Sequence, residues 1–388
     1  MGDFNKDNKL DIAVAFQKDD NVGVFMGYGN GSFSEQIVYK LPNRSSPVWL
    51  IVHDFSKDNV QDMAVANFNE NHVGILLGYG NGTFGDIIIY STGTNSGPCA
   101  IAIGDFNNDN NIDIAVANLH RKTIGIMFGY GNGSFLLQVT YSVGSGALLK
   151  SIVVGDMNND TILDIAASNC GDAKTNIGIL YGLGNGTFLV PKLYSTGSNV
   201  IVTSIAIADF DNDGRNDVVA SNANKNRICI LLRDKTEPFG EQVTFSTGNN
   251  SNPYAVVVSD FNNDNKLDIA VANSQANNIG IFLGYGNGSF TLLKCYSTGL
   301  GSEPSFIVVG DLNKNNQTDL VVTNKGINNL LVLYGVGNGT FATPILYSLG
   351  YDSSPVSAAI EDFNNDSWLD IVVTNDDWNY IEVLLQTC

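Results

Sequence analysis

The sequence predicts an all-β fold, a β-propeller of four-stranded antiparallel blades built from eight repeats. Three observations carry this prediction. A nine-residue acidic motif begins at Asp3, Asp54, Asp105, Asp156, Asp209, Asp260, Asp311 and Asp362, every step being 51 residues except 53 between Asp156 and Asp209. The segments between motifs are short apolar runs rich in β-branched residues and bounded by Gly, Pro, Asn or Asp, which read as strands. No run shows the 3.6-residue periodicity or the length of a helix. A fixed period of this size is the signature of a repeat architecture whose units stack into one body.

Residues 98–145 serve as the type repeat. Pro98 ends whatever precedes it, and Ala100–Gly104 follows as strand s1, made of small apolar residues. The acidic loop from Asp105 to Asp113 leads into s2, Ile112–Asn118; a polar turn, Leu119–Thr123, leads into s3, Ile124–Phe128. Gly129–Phe135 is a hairpin, Leu136–Tyr141 is s4, and Ser142–Gly146 turns into the next repeat. The Ala-, Gly- and Val-rich s1 suits the crowded innermost position of a blade.

The first repeat lacks s1 and the last lacks s4, so thirty strands are expected in a single propeller domain over residues 1–388. A β-solenoid competes, but its rungs are much shorter than 51 residues. Eight motifs favour eight blades, two of them incomplete. A seven-bladed ring would instead pair s1 of the last repeat with s2–s4 of the first.

Each acidic loop sets oxygen-bearing side chains at positions 1, 3, 5 and 9. Side chains at 1, 3 and 5 of a tight turn converge, and a carboxylate at 9 closes the far side. That suits Ca²⁺, which takes 6–8 oxygens at about 2.3–2.6 Å. The candidate ligands are Asp3, Asn5, Asp7 and Asp11; Asp54, Ser56, Asp58 and Asp62; Asp105, Asn107, Asp109 and Asp113; and Asp156, Asn158, Asp160 and Asp164. The second half of the chain offers Asp209, Asp211, Asp213 and Asp217; Asp260, Asn262, Asp264 and Asp268; Asp311, Asn313, Asn315 and Asp319; and Asp362, Asn364, Asp366 and Asp370. Up to eight ions are expected.

Position 6 is Gly only at Gly214; elsewhere it is Asn8, Asn59, Asn110, Asn265, Asn316, Thr161 or Ser367. Gly and Asn are the residues that take left-handed geometry most cheaply. Position 7 is unrestricted, as expected if only its carbonyl faces the ion. The competing reading is an Asx-rich turn without metal, disfavoured because uncompensated carboxylates repel. The Asp209 loop is expected to bind tightest, and the Asp54 and Asp311 loops, with Ser56 and Asn315, least.

The formal charge is −19, with pI about 4.3. Such a chain is a poor partner for nucleic acid or an anionic membrane. Of its 39 Asp and Glu residues, 24 occupy the loop positions above, and eight divalent ions would bring −19 to −3. The acidity is thus mostly ligand charge. No apolar run approaches the roughly 18 residues of a membrane span. Cys99, Cys170, Cys229, Cys295 and Cys388 show neither CxxC spacing nor a disulfide framework. The chain opens and stops mid-repeat, with no charged-then-apolar stretch at its start, so a fragment or a truncated gene model is expected.

Gly-x-Gly-Asn-Gly-[Ser/Thr]-Phe recurs at 27–33, 78–84, 129–135, 182–188, 284–290 and 335–341. It lacks the Lys and the following helix of a phosphate loop. Asn-Gly between strands predicts a type I′ hairpin instead. The triplets are also formal N-glycosylation sequons. The fifth repeat replaces this hairpin with Leu232–Phe239. Catalysis has little support: His53, His72 and His120 occupy different repeat positions, and neither HExxH nor GxSxG occurs.

The s1–loop–s2 segment, as in Ile205–Val219, resembles the FG-GAP-like and VCBS-like repeats found in the β-propeller head of integrin α subunits. The resemblance covers nearly the whole chain and implies a propeller with Ca²⁺ in the s1–s2 loops. The family's Phe-Gly entry and Gly-Ala-Pro segment are replaced here by patterns such as Ser-Gly-Pro and by Ala-Asn, as at Ala66-Asn67, Ala117-Asn118 and Ala272-Asn273. The scaffold is therefore expected, without integrin-type ligand recognition.

Alternation along a blade places the s1–s2 and s3–s4 connections on one face and the s2–s3 and s4–s1 connections on the other. The first face is nearly uniform across repeats. The second varies, through Phe16–Asp20, Phe68–His72, Leu119–Thr123, Cys170–Thr175, Ala223–Arg227 and Asp376–Tyr380. Loops on a rigid scaffold carry binding, so Trp378, Tyr380, His120 and Arg121 are candidate partner residues; unconstrained drift explains the variation equally. The expected function is a non-catalytic, extracellular or cell-surface Ca²⁺-stabilised module that binds another protein or a glycan. A carbohydrate-binding propeller would need aromatic and amide groups repeated in every blade, and an accessory domain of a larger secreted enzyme is a third reading.

Overall fold

The computed structural model describes residues 1–144, 149–169, 177–233, 239–240, 242–376 and 380–386. Among them are thirty strands in eight antiparallel sheets, each sheet built from one repeat with its strands paired in sequence order. These sheets are the blades of an all-β propeller. Blades 2–7 have four strands. Blade 1 has three, Ile12–Phe16, Asn21–Phe25 and Ile37–Lys40, and so has blade 8, Pro355–Glu361, Asp370–Asn375 and Tyr380–Leu384. The last s1 pairs with its own s2, from Pro355 opposite Asn375 to Glu361 opposite Asp370. The seven-bladed alternative is thereby excluded.

In blade 3, s1 runs Pro98–Gly104, s2 Asp113–Asn118, s3 Thr123–Met127 and s4 Val139–Ser142. Pro98 opens s1 where the sequence suggested a break. Proline lacks an N–H, so the first position of a strand costs it no ladder bond, and a register shift between Pro98 and Ala100 absorbs the irregularity. The same shift follows Pro47, Pro253, Pro304 and Pro355.

The chain divides into two compact units, residues 1–156 with 160–199, and residues 157–159 with 200–388. Within the first, blades 1–4 stack in chain order with their inner strands side by side; within the second, blades 5–8 do the same. In blade 3, s2 is wholly buried and s3 nearly so, s1 is partly buried, and s4 is largely exposed.

The apolar core lies between blades. Phe55, Ala64, Val73, Ile75, Ile101, Ile114, Val116 and Phe135 belong to one cluster between blades 2 and 3. Equivalent clusters join blades 1–2 and 3–4, then 5–6, 6–7 and 7–8. An aromatic lock recurs in them. Phe135, in the hairpin of blade 3, stands edge-on to Phe55 and Tyr90 of blade 2 with centroids 5.6 and 5.7 Å away. Its backbone N–H donates to the Tyr90 hydroxyl at 3.0 Å. Phe84 makes the same contacts with Phe4 and Tyr39, and Phe341 with Phe261 and Tyr296.

Candidate metal centres

All eight acidic loops adopt one conformation. The position 1 carboxylate accepts the backbone N–H of position 5 at 3.0–3.2 Å. Its second oxygen accepts the N–H of position 6 at 2.7–2.8 Å. The position 5 side chain accepts from position 7 at 2.7–3.0 Å. Position 6 is left-handed throughout, as expected, with φ between 58° and 81°. Position 4 is left-handed too, at 56–60°, although it is Lys6, Lys57 and Lys314 in three loops. The paired left-handed residues turn the backbone N–H groups of positions 5 and 6 onto the position 1 carboxylate.

Position 9 does more than close the loop. Its aspartate is fully buried in all eight loops. One oxygen accepts an N–H from the segment after s3 at 2.7–2.8 Å, from Gly27, Gly78, Gly129, Gly182, Gly284 and Gly335, or from Arg233 and Gln386. In seven loops the other accepts the N–H of position 2 at 2.8–3.0 Å, as Asp113 does from Phe106. Six loops are thus stapled to the hairpin of their own blade, which places both on one face, and the Asp209 and Asp362 loops to the segment that follows s3.

Burial dominates the electrostatics. Desolvation pushes Asp113, Asp268 and Asp319 up to about 6 and Asp217 up to about 7, against the backbone hydrogen bonds that favour their ionised forms. Asp11, Asp62 and Asp370 are raised for the same leading reason. In the Asp209 loop, oxygens of Asp209, Asp211 and Asp217 lie within 4.8 Å of one another. Burial and then the Asp213 charge raise Asp211 as well. An all-oxygen donor set that repels itself fits a hard divalent cation. Asp213 is engaged by the Arg215 guanidinium, a competitor that position 7 did not reveal in the sequence. In the Asp311 loop, Asn315 donates its amide to the Gly335 carbonyl at 3.1 Å and spends its oxygen on Gln317.

Adjacent loops are tied together. In five of the six hairpins the tip glycine donates to the position 2 carbonyl of the preceding blade's loop. Gly82 bonds Phe4 at 2.9 Å, Gly133 bonds Phe55 at 3.0 Å and Gly186 bonds Phe106 at 3.2 Å. In the second unit Gly288 bonds Phe210 at 3.0 Å and Gly339 bonds Phe261 at 3.2 Å. The hairpin is not the expected type I′ turn. That turn needs a left-handed Asn30, whereas the left-handed residues are Gly29 and Gly31, with Asn30 between them.

The FG-GAP-like repeat profile matches residues 3–65, 54–116, 108–167, 169–220, 209–271, 260–322 and 311–373. The chain belongs to the FG-GAP-like repeat family. No curated protein matches it. Among solved structures it is similar to virginiamycin B lyase from Staphylococcus aureus, at 14% identity and TM-score 0.59, over 89% of this chain and 97% of that one. An Agrocybe aegerita lectin that recognises non-reducing terminal N-acetylglucosamine matches at 16% identity and TM-score 0.58, over 95% and 99%. A putative 6-phosphogluconolactonase from Bacteroides fragilis matches at 15% and 0.58, over 88% and 96%. At such identity the likeness shows the fold alone.

On the opposite face of this FG-GAP-like repeat protein, five of the variable s2–s3 loops share a staple the sequence reading missed. The residue before s3 is left-handed, as at Asp20, Asn71, Asn226, Asn277 and Asn328. Its side-chain oxygen accepts backbone N–H groups of the s4–s1 turn. Asn71 takes those of Ser96 and Gly97 at 2.7 and 3.0 Å, and Asp20 those of Ser46 and Arg44. Three of the expected partner residues are engaged within this frame. Tyr380 donates its hydroxyl to Leu349, His120 packs on Phe68 at 5.1 Å, and Arg121 donates to the carbonyl and hydroxyl of Thr94. Trp378, the 170–175 loop, Cys170, Cys388 and most of the 232–239 segment lie outside the described residues. Cys99, Cys229 and Cys295 are free thiols. A cavity of about 440 Å³ opens between blades 2 and 3, lined by Ser91, Arg121, Thr123, Leu137, Gln138 and Thr140 among others. His53 stands beside Phe55 and His72 is buried, its pKa lowered by desolvation. Among the described residues no helix is long and apolar enough to cross a membrane.

Proposed function

We propose that the protein is a non-catalytic, Ca²⁺-stabilised propeller that presents a binding surface outside the cell, with its protein partner on the face of the s2–s3 and s4–s1 connections. The observation that carries the cation is the convergence of Asp209, Asp211 and Asp217 oxygens within 4.8 Å, in a loop conformation that all eight repeats share. The residues that would hold it are those at positions 1, 3, 5 and 9, and when bound it supplies positive charge that offsets buried carboxylates. Several loops offer neutral Asn at position 3, and Asp311 adds Asn315. Sites with fewer charges bind weakly and suit extracellular calcium, for which modules have Kd of about 10⁻⁴–10⁻³ M.

The binding face is supported by the stapled, sequence-variable loops and by the cavity beside Arg121. Rigid anchoring of variable loops is what a recognition surface requires. Calorimetric titration of the chelated chain with Ca²⁺ tests the first half: heat from several sites is expected, and none refutes it. Exchanging the s2–s3 loops among blades tests the second, because partner binding that survives the exchange rules that face out.

A further inference from the structure

The acidic-loop face carries a second recurrent constellation. In each Gly-x-Gly-Asn-Gly-[Ser/Thr]-Phe hairpin, residue x projects outward. Tyr28, Tyr79, Tyr130 and Tyr285 are 53, 66, 57 and 54% exposed, and Leu183 and Val336 hold the same place in blades 4 and 7. Single exposed hydrophobic residues need no explanation, but these recur at one backbone position that is rigidly held. Each tyrosine N–H bonds across the hairpin to Ser32, Thr83, Ser134 or Ser289 at 2.9–3.0 Å. The preceding glycine is clamped by the buried position 9 aspartate. A Cβ added at Gly85 would meet the Tyr79 hydroxyl at 2.8 Å, so that side chain leans over the hairpin backbone.

Two residues further on stands an exposed asparagine, Asn30, Asn81, Asn132 or Asn287. Its side-chain oxygen accepts a backbone N–H at 3.0–3.1 Å and the Ser or Thr hydroxyl at 2.5–2.6 Å. A backbone N–H can only donate, so the oxygen is fixed there, and the amide nitrogen keeps two N–H donors that no hydrogen bond described here uses. Aromatic face and amide donors therefore repeat as a pair, on the face opposite the variable loops.

We propose that Tyr28–Asn30, Tyr79–Asn81, Tyr130–Asn132 and Tyr285–Asn287 are four equivalent sugar subsites. Each takes one pyranose ring of an oligosaccharide, its C–H face against the tyrosine and a hydroxyl accepting from the asparagine amide. Tyrosine supplies a large amphipathic contact at small entropic cost. The rings are separated by glycines and acidic loops, so they do not form the apolar core that a protein interface needs. In the first unit the subsites stand on the successive blades 1, 2 and 3, which matches a ligand with repeated units, and simultaneous engagement there multiplies weak single-site binding; Tyr285–Asn287, in the second unit, binds by itself. This site stands apart from the partner face proposed above and does not depend on it.

The test uses the full chain, produced without N-glycosylation and kept in calcium, on an array of neutral hexose, N-acetylhexosamine and uronic acid oligosaccharides. Retention on multivalent glycans is expected. It should fall at least about tenfold in the combined Y28A, Y79A, Y130A and Y285A variant and stay within about twofold in the corresponding Tyr→Phe variant, which keeps the rings. Both should melt with the wild type, because the side chains are exposed. Exchanging the s2–s3 loops should leave retention unchanged, which separates this result from the partner-face test. No binding by the wild type, or unchanged binding by the folded alanine variant, overturns the proposal. If the combined variant does not fold, the four single alanine variants decide: lowered retention in each supports the subsites, and unchanged retention in all four overturns them.

Discussion

Removing divalent cations should invert the pH dependence of stability. Without a cation, burial holds Asp113, Asp268 and Asp319 near about 6 and Asp217 near about 7. A carboxyl whose folded pKa lies above its unfolded value contributes stability below the unfolded value, and that contribution is lost as pH rises through the folded one. The cation-free fold should therefore weaken between about pH 4 and pH 7. Asp217 alone costs it about 2 kcal/mol at neutral pH, after allowance for solvent screening.

Bound Ca²⁺ reverses the sign, because cation and proton compete for the same oxygens. At a hundred times Kd each loop gains about 2.7 kcal/mol. For a chain of this size, with an unfolding entropy of about 0.8 kcal/mol/K, that is about 3 °C per loop. The assay is a thermal melt at pH 5 and pH 7.5, in chelator and in excess calcium. In chelator the melt should come at a higher temperature at pH 5 than at pH 7.5, and in calcium the order should reverse. Coincident melts with and without calcium at pH 7.5, or a chelated protein that gains stability as pH rises, would refute the reasoning.

Other perturbations separate the roles of individual residues. Asp113→Asn leaves one of the N–H groups of Phe106 and Gly129 facing an amide donor, and should cost about 1–3 kcal/mol in calcium; at pH 7.5 in chelator the cost should shrink, because a buried charge is removed. Phe135→Ala should cost about 3–5 kcal/mol by emptying the space between Phe55 and Tyr90, read by denaturant titration. Asn71→Ala should cost about 1–3 kcal/mol by orphaning the N–H groups of Ser96 and Gly97, and Asn71→Gly less than Asn71→Ala at its left-handed φ of 56°. Arg215→Ala frees Asp213 and should tighten calcium at that loop, measured calorimetrically against the wild type.

The blades were legible because each is written locally. The strands, the turn-forming residues and the acidic loop of one repeat lie within about fifty consecutive residues, and the 51-residue period repeats the message. What escaped depended on partners in space. Position 9 reads as a ligand in sequence, and only the fold shows its oxygens holding Gly129 and Phe106. Lys6 and Lys57 give no hint of left-handed geometry; the loop's hydrogen bonds impose it. The Asn71 staple joins residues 25 and 26 positions apart, hidden within loops that otherwise vary. Aromatic and amide groups do not repeat along the variable face; they recur on the other, inside hairpins whose sequence signals only a turn.

The bond from a hairpin tip to the preceding blade's loop has a direction. Gly133 holds the carbonyl of Phe55, and Phe55 donates its own N–H to Asp62. Each link joins nearest neighbours only, so within a unit stability behaves as a sum of intrinsic and adjacent terms, as in other one-dimensional arrays. A disturbance in one loop reaches the following blade first, through the hairpin it grips. The array therefore has a polarity: the loop of blade 2 secures blade 3, while its own hairpin is secured by blade 1. Fraying should start where a link has no successor and advance one blade at a time.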